Sequence, residues 1–155
     1  MRARPSVLFV CLGNICRSPM AEGAFRTAAA AAGLDVMCDS AGTGDWHIGS
    51  PPDVRAQAEM LRHDIDISGL RARQIEAADY RRFSHIFALD HANLAEVRAR
   101  APADTSAKIG LLLDCVSGRE GSAVADPYFG EDEGFGETWR DVKLAVAALV
   151  QRFGP

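Results

Sequence analysis

The sequence predicts an α/β fold, a single three-layer domain over residues 1–155 in which a four-stranded parallel sheet is flanked by helices. Two observations support this prediction. Short runs rich in Val, Ile, Leu and Phe alternate with longer segments of helical pattern. The chain also has 155 residues, 48% of them hydrophobic and 25% charged, which is enough for one buried core and ordinary for a globular protein.

Four runs are apolar on both faces, as parallel strands covered by helices tend to be. These predicted strands are Ser6–Val10, Leu34–Asp39, His85–Leu89 and Lys108–Leu113. Ligands in folds with parallel strands and right-handed crossovers bind at the carboxyl ends of the strands. We therefore expect the functional residues of this chain just after its strands.

Helices are predicted in the connections and after the last strand. Ser18 and Pro19 suit the N-cap and the first position of a helix that runs to Gly33. Further helices are predicted over Pro52–His63, Ile75–Phe83 and Asp90–Arg100. The last helix has one apolar stripe, typical of core packing, with spacings of mostly three and four residues: Trp139, Val142, Val146, Leu149, Val150 and Phe153.

Charge and the length of apolar runs exclude several classes of protein. The net charge of −4 does not suit a nucleic-acid-binding protein. The apolar run Val7–Leu12 is too short for a signal peptide, and no window approaches the roughly 18 apolar residues that span a bilayer. We therefore expect a cytoplasmic protein that binds neither nucleic acid nor membrane.

The cysteines indicate neither a metal site nor structural disulfides. Only Cys11 and Cys16 are close in sequence, Cys38 and Cys115 lie apart, and the histidines are scattered. A zinc site usually needs two close pairs of ligands, and cytosolic thiols stay reduced. We expect no metal and no cofactor.

The segment C-x5-R-S, from Cys11 to Ser18, joins the first strand to the first helix. Backbone N–H groups in so short a turn, together with the positive end of the helix, form an anion site. Arg17 adds a planar guanidinium that binds two phosphoryl oxygens at once, and Gly13 and Asn14 permit the backbone to turn. Cys11, at the base of this site, is readily ionised and becomes a nucleophile toward phosphorus. The predicted phosphate-binding loop comprises Leu12, Gly13, Asn14, Ile15, Cys16 and Arg17.

Two other interpretations of this segment are weaker. A cysteine at a strand end is often a small buried hydrophobic residue. A nucleotide-binding P-loop needs G-x4-G-K-[ST], and no lysine stands here. With a nucleophilic Cys11, the Ser18 hydroxyl is expected to hydrogen-bond the sulfur and ease its later departure.

The segment "VLFVCLGNICRSP" (7–19) resembles the active-site loop of the low-molecular-weight protein tyrosine phosphatases. The resemblance extends in order to "DSAGTGDWHIGSPPDVRA" (39–56), "ARQI" (72–75), "FALDHANL" (87–94) and "DPYFG" (126–130), and so covers nearly the whole chain. It implies a Rossmann-like fold of the phosphotyrosine phosphatase I type. It also implies hydrolysis of phosphotyrosine and small aryl phosphates through a phosphocysteine.

The same resemblance implies the remaining groups of the site. Asp126, stiffened by the proline that follows, is implied as the general acid and later the base that activates water. The implied walls of the substrate pocket are Trp46, Tyr128 and Phe129. Asp90, which ends the third strand, is interpreted as a helix cap.

The resemblance also implies how the loop is supported. Ser40 helps to hold Asn14 in a strained backbone conformation, together with Ser18. The family has a histidine where this chain has Leu70, so we expect one partner of this network to be missing or replaced. Cys16 is implied as a redox partner that forms a reversible disulfide with Cys11.

Two rival activities use the same scaffold. Arsenate reduction needs additional relay cysteines, whereas Cys38 lies inside a predicted strand and Cys115 has no cysteine near it. Protein arginine phosphatases carry a threonine where this chain has the bulkier Ile15. The expected partners are therefore a phosphotyrosine-containing protein, with a tyrosine kinase as one candidate, and phosphate or another oxyanion.

Overall fold

The computed structural model describes residues 4–128, 130 and 133–154, which form four strands and five α-helices. The strands are β1 (Ser6–Cys11), β2 (Met37–Gly42), β3 (His85–Ala88) and β4 (Lys108–Leu111). The helices are α1 (Arg17–Ala31), α2 (Val54–Leu61), α3 (Asp79–Arg82), α4 (His91–Arg100) and α5 (Glu133–Phe153). The sheet is parallel throughout with the order β2-β1-β3-β4, which confirms the predicted α/β class.

Strand β1 occupies the middle of the sheet and is buried on both faces. Val7 and Phe9 point into the core shared with α1 and α5, whereas Leu8 and Val10 point into the core on the α3 and α4 side. This alternation is the ordinary period of two residues along a strand. The carboxyl end of β1 therefore opens at the centre of the sheet, with helices on both sides.

Strand β2 begins three residues later than predicted. Local hydrophobicity favoured Leu34–Asp39, but the N–H of Met37 is the first to bond toward β1, and the paired residues run from Met37 to Gly42. Pairing with a neighbour, which is not visible in one segment's composition, sets the bounds of a strand. The shift places Ser40 inside the strand, next to Phe9 of β1, and Gly42 beside Cys11.

Other predicted bounds also change. Leu112 and Leu113 belong to a short 3-10 turn after β4, and Ile75 lies outside α3, bonded instead to Gly42. Helix α2 begins after Asp53, whose carboxylate accepts from the N–H of Arg55. The apolar stripe of the last helix is confirmed, although the helix starts earlier, at Glu133.

Within the described ranges, no helix is both long and apolar enough to cross a membrane.

Candidate active site

The turn between β1 and α1 lines a cleft of about 240 Å³ at the carboxyl edge of the sheet. Cys11 ends β1 and Arg17 begins α1, so the strand and the helix fix the two ends of the turn. The residues around the cleft come from this turn and from two later segments: Cys11, Leu12, Gly13, Ile15, Cys16, Arg17, Trp46, His47, Asp126 and Tyr128.

Neighbouring segments hold the backbone of this loop from outside. The carbonyl oxygens of Cys11 and Leu12 accept from the N–H groups of Thr43 and Gly44, each at 2.9 Å, and that of Ile15 accepts from Asp53 at 2.8 Å. The three donor residues do not line the cleft, so these carbonyls are satisfied away from it.

The end of β2 approaches the loop so closely that Gly42 has no room for a side chain. A Cβ atom at Gly42 would lie 2.6 Å from the Leu12 carbonyl oxygen. Any larger residue would push the loop away from the sheet and open the cleft.

Arg17 is buried at the back of the cleft, with 2% of its side chain exposed. Its Nη1 donates to Asp90 Oδ2 and to the Val124 carbonyl oxygen, both at 2.8 Å. Asp90 also caps α4 through the N–H of Asn93, as the sequence predicted. The contact between Asp90 and Arg17 was not predicted from the sequence. An acid just after β3, the strand beside β1, could have indicated it.

Asp126 faces the other nitrogen of the same guanidinium, with 3.5 Å between Asp126 Oδ2 and Arg17 Nη2. Its second oxygen accepts from the Tyr128 N–H at 3.0 Å, which fixes the carboxylate relative to the backbone. The side chain remains 41% exposed. Cys11, Arg17 and Asp126 thus border one cleft, although Asp126 lies more than 100 residues from the other two.

Arg55, which sequence reasoning did not single out, holds the segment that follows Asp126. Its Nη2 donates to the Tyr128 carbonyl oxygen at 2.9 Å and its Nη1 to that of Gly130 at 3.3 Å. The guanidinium also lies 4.8 Å from the ring centre of Phe135. Bonds to Asp53 hold Arg55 in turn and, because these bonds favour the ionised carboxylate, the pKa of Asp53 is below its ordinary value.

Aromatic groups form the mouth of the cleft. Trp46 lines it with 70% of its surface exposed, and Tyr128 lines it as well. His47, which sequence reasoning did not name, also borders the cleft, with its ring centre 6.3 Å from that of Tyr128. The third expected wall, Phe129, lies outside the described residues.

Asn14 has a positive φ of 58° and is supported by side chains behind the loop. Its Nδ2 donates to Ser18 Oγ at 2.8 Å and to Ser40 Oγ at 2.9 Å, while its Oδ1 accepts from the Arg73 N–H at 3.0 Å. Ser40 Oγ also lies 2.6 Å from Glu22 Oε1. Glu22 was not anticipated, because its only sequence signal is an acid in the buried half of α1.

Two expectations for this network need correction or completion. Ser18 is not the N-cap of α1, which begins at Arg17 after Cys16, and its hydroxyl lies 3.0 Å from Cys11 Sγ instead. A cap would turn the hydroxyl toward the helix backbone, whereas the loop turns it toward the sulfur. Leu70, at the position where a histidine was expected, is half buried and packs against the apolar core.

All four cysteines are free thiols in this structure. Burial raises the pKa of Cys16, and the negative charges of Asp53, Cys11 and Asp126 add to the rise. Burial also raises the pKa of Cys38 to about 11. Within the part of the chain that the structure describes, no group of three His, Cys, Asp or Glu side chains suits a metal ion.

Comparison with known proteins places the chain in a family. Residues 6–154 match the model of the family described as low molecular weight phosphotyrosine protein phosphatase. The phosphatase of that name from Schizosaccharomyces pombe is 42% identical over 86% of each chain. The low molecular weight protein-tyrosine-phosphatase YfkJ of Bacillus subtilis is 46% identical over 80% of this chain and 81% of its own.

Solved structures agree in fold. The crystal structure of YfkJ superposes with a TM-score of 0.90 at 40% identity, covering 97% of this chain and 95% of that one. The Drosophila arginine phosphatase DARP superposes with a TM-score of 0.89 at 32% identity, covering 96% and 98%. With a family match over nearly its whole length, the chain belongs to the low-molecular-weight phosphotyrosine protein phosphatases.

Proposed function

We propose that this chain hydrolyses phosphotyrosine in proteins, and small aryl phosphates, through a phosphocysteine formed on Cys11. One observation carries the proposal: the Cys11 sulfur, the buried Arg17 guanidinium and the Asp126 carboxylate border one cleft whose mouth is aromatic. Membership in the phosphatase family supports it.

In the first step, the Cys11 thiolate attacks phosphorus in line with the tyrosyl oxygen. The S–P bond forms as the P–O bond breaks, and Asp126 gives its proton to the departing oxygen, so tyrosine leaves as a neutral phenol. Arg17 and the loop amides bind the equatorial oxygens, where charge develops. Among the described residues no side chain caps the N-terminus of α1, so its amides stay available to the phosphoryl group.

In the second step, water displaces the sulfur. Asp126, now ionised, takes a proton from the water, whose oxygen bonds to phosphorus while the S–P bond breaks. Ser18, 3.0 Å from the sulfur, donates a hydrogen bond to the thiolate as it departs. Inorganic phosphate leaves and both side chains return to their starting states.

Asp90 keeps Arg17 ready for both steps. Its carboxylate and the Val124 carbonyl hold Nη1 at 2.8 Å, so the plane of the guanidinium is set before substrate binds. A preorganised donor does not have to reorient as the charge on phosphorus develops.

Arginine phosphatase activity is the alternative that the likeness to DARP favours. Ile15 borders the cleft and is 9% exposed, and its bulk favours a flat aryl group over a flexible guanidinium stem. Arsenate reduction is less favoured, because a relay needs further cysteines at the cleft, and neither Cys38 nor Cys115 is among the described residues that line it.

The finer assignments remain predictions. A tyrosine kinase is one candidate among the phosphotyrosine proteins that this cleft would accept. The cytoplasmic location and the organisation of residues 1–155 as one domain also stay predictions.

Single-turnover assays on p-nitrophenyl phosphate and on a phosphotyrosine peptide test the proposed function, with Cys11→Ser and Asp126→Ala as variants. We expect no phosphoenzyme and no turnover from Cys11→Ser, and slow formation of phosphoenzyme from Asp126→Ala. Undiminished activity of Cys11→Ser would remove the mechanism. Faster turnover of a phosphoarginine peptide, or of arsenate with a thiol reductant, would favour the corresponding rival.

A further inference from the structure

A line of polar side chains, buried except for its half-exposed first member, Arg26, runs behind the cleft from α1, through β2, to the nucleophile. Each member is hydrogen-bonded to the next. In order they are Arg26, Glu22, Ser40, Asn14, Ser18 and Cys11. Glu22 is the acidic member of this line and is 2% exposed.

The direction of the first bonds follows from the charge of Glu22. Arg26 Nη2 lies 2.6 Å from Glu22 Oε2, so the guanidinium and the carboxylate form an ion pair. An ionised carboxylate can only accept hydrogen bonds. Ser40 Oγ, 2.6 Å from Oε1, must therefore donate its single proton to Glu22, at a separation typical of a hydroxyl bonded to a carboxylate.

The orientation of Asn14 follows from that of Ser40. With its proton committed, the Ser40 oxygen can only accept, and the Asn14 Nδ2 group supplies the donor at 2.9 Å. The backbone N–H of Arg73 needs an acceptor and finds the Asn14 oxygen at 3.0 Å. Both contacts require the same orientation of the amide.

The last bond then has one direction. The second Nδ2 proton of Asn14 goes to Ser18 Oγ at 2.8 Å, which leaves the Ser18 proton for the Cys11 sulfur at 3.0 Å. Ser18 is fully buried and Cys11 is 3% exposed, so bulk water does not compete for that proton.

We propose that Glu22, held by Arg26, is a positioning residue that sets the direction of these hydrogen bonds, so that Ser18 donates to the Cys11 thiolate. The inference deepens the proposed function and rests on it for its catalytic meaning. It also explains how the loop is supported in a chain with Leu70, whose side chain has no polar atom to contribute. The carboxylate of Glu22 bonds Ser40 directly.

Glu22→Gln tests the direction of the bonds with almost no change in shape. Arg26 can only donate, so it takes the amide oxygen of Gln and turns the amide nitrogen toward Ser40. The Ser40 proton then has no acceptor unless the Asn14 amide turns over, which breaks its bond to the Arg73 N–H. In that state Ser18 donates to Asn14, and the sulfur loses its donor.

The primary readout is the pH profile of Cys11 alkylation by iodoacetamide, located by mass spectrometry, which requires no phosphatase activity. In Glu22→Gln we expect the midpoint of this profile to rise by about one pH unit, since a hydrogen bond to a charged group is lost. We expect turnover of a phosphotyrosine peptide to fall about tenfold for the same reason.

A second substitution separates an effect of hydrogen-bond direction from an effect of losing the charge of Glu22. In Glu22→Gln combined with Arg26→Met, the amide oxygen is free to face Ser40 again, so most of the shift should be recovered. In a Ser40→Ala background, Glu22→Gln should add almost nothing, because the residue that transmits the effect is gone. A double variant shifted further than Glu22→Gln alone, or full additivity with Ser40→Ala, would overturn the proposal.

Glu59→Gln is the matched control. Glu59 is likewise buried and is bonded to Arg62, the residue that follows α2, at 3.2 Å, and among the described residues no hydrogen bond joins it to the loop. We expect its alkylation profile to match that of the parent protein. An equal shift in Glu59→Gln, or an unchanged profile in folded Glu22→Gln, contradicts the inference.

Thermal unfolding shows which variants are folded. If Glu22→Gln does not fold, Ser40→Ala, which keeps the Glu22–Arg26 pair, carries the test: a smaller upward shift is expected, since the Arg73 N–H still orients the Asn14 amide, and an unchanged profile overturns the proposal. A further outcome is that the parent protein fails to hydrolyse phosphotyrosine while Glu22→Gln still shifts the alkylation profile. That result would support the positioning role of Glu22 and refute only the proposed function.

Discussion

The two segments that meet in the cleft are supported in opposite ways. The loop from Cys11 to Arg17 is nearly inaccessible at both ends, with 3% of Cys11 and 2% of Arg17 exposed. The segment that carries Asp126 lies at the surface, and the Asp126 side chain is 41% exposed. The first is bonded to the sheet and to buried side chains, whereas the second is contacted by Arg55 and, at 3.5 Å, by Arg17.

The difference matches what each segment is proposed to do. A thiolate and the donors around a phosphoryl group work best when their positions are set before substrate arrives. The acid instead has to release a proton in one step and take one from water in the next, so it has to remain reachable by water. Burial therefore suits the thiolate and the donors that bind the phosphoryl group, but it would hinder the acid.

Arg17→Lys tests the buried segment and should have the largest effect. Lysine cannot make two parallel bonds to the phosphoryl oxygens, nor satisfy Asp90 and the Val124 carbonyl with the same geometry. We expect kcat on a phosphotyrosine peptide to fall by about 10³-fold, as when a preorganised donor is removed. Arg119→Lys, at a half-exposed ion pair far along the chain, is the control and should retain full kcat.

Asp126→Asn tests the exposed segment and should have a smaller effect that depends on the leaving group. We expect a loss of about 10²-fold or more on phenyl phosphate, whose phenol needs a proton, and a much smaller loss on p-nitrophenyl phosphate. The measurement is the slope of log kcat/KM against leaving-group pKa. Equal losses on both substrates would argue against Asp126 as the acid.

Arg55→Ala tests how the acid is held, and we expect a loss of about tenfold on phenyl phosphate with almost none on p-nitrophenyl phosphate. The reason is that the Tyr128 and Gly130 carbonyls lose their donor while the buried loop keeps its own bonds. Arg62→Ala, at the other end of α2 and 69% exposed, is the matched control. An equal loss of activity on phenyl phosphate and p-nitrophenyl phosphate would mean that Arg55 acts through the buried loop instead.

Cys16→Ser should leave initial turnover nearly unchanged and alter only the response to peroxide. Peroxide converts the Cys11 thiolate to a sulfenic acid. Attack by Cys16 on that sulfur then forms a disulfide and releases water, and a thiol reductant later reduces the disulfide. Because the pKa of Cys16 is raised, its thiolate fraction grows with pH, so recovery in the parent protein should improve as the pH rises. Equal recovery of Cys16→Ser and the parent after dithiothreitol would contradict this role.

Local sequence patterns predicted most elements of the fold, and the errors have a common cause. The stripe of α5 and the cap of α4 depend on residues close in sequence, and both agree with the structure. The bounds of β2 depend on pairing with β1, and the first residue of α1 depends on how the loop after Cys11 bends. The contact between Ser18 and the Cys11 sulfur, 3.0 Å apart, was by contrast expected from the sequence.

The sequence by itself determined the order of the elements and the spacing of Cys11 and Arg17, because both are properties of neighbouring residues on one strand, turn and helix. Only the tertiary structure decided what supports them. Glu22, Asp90 and Arg55 do not line the cleft but bond residues that line or support it, and their partners could not be named from the sequence. A hydrogen bond depends on distances of about 3 Å between atoms that folding brings together, and a linear pattern does not contain those distances.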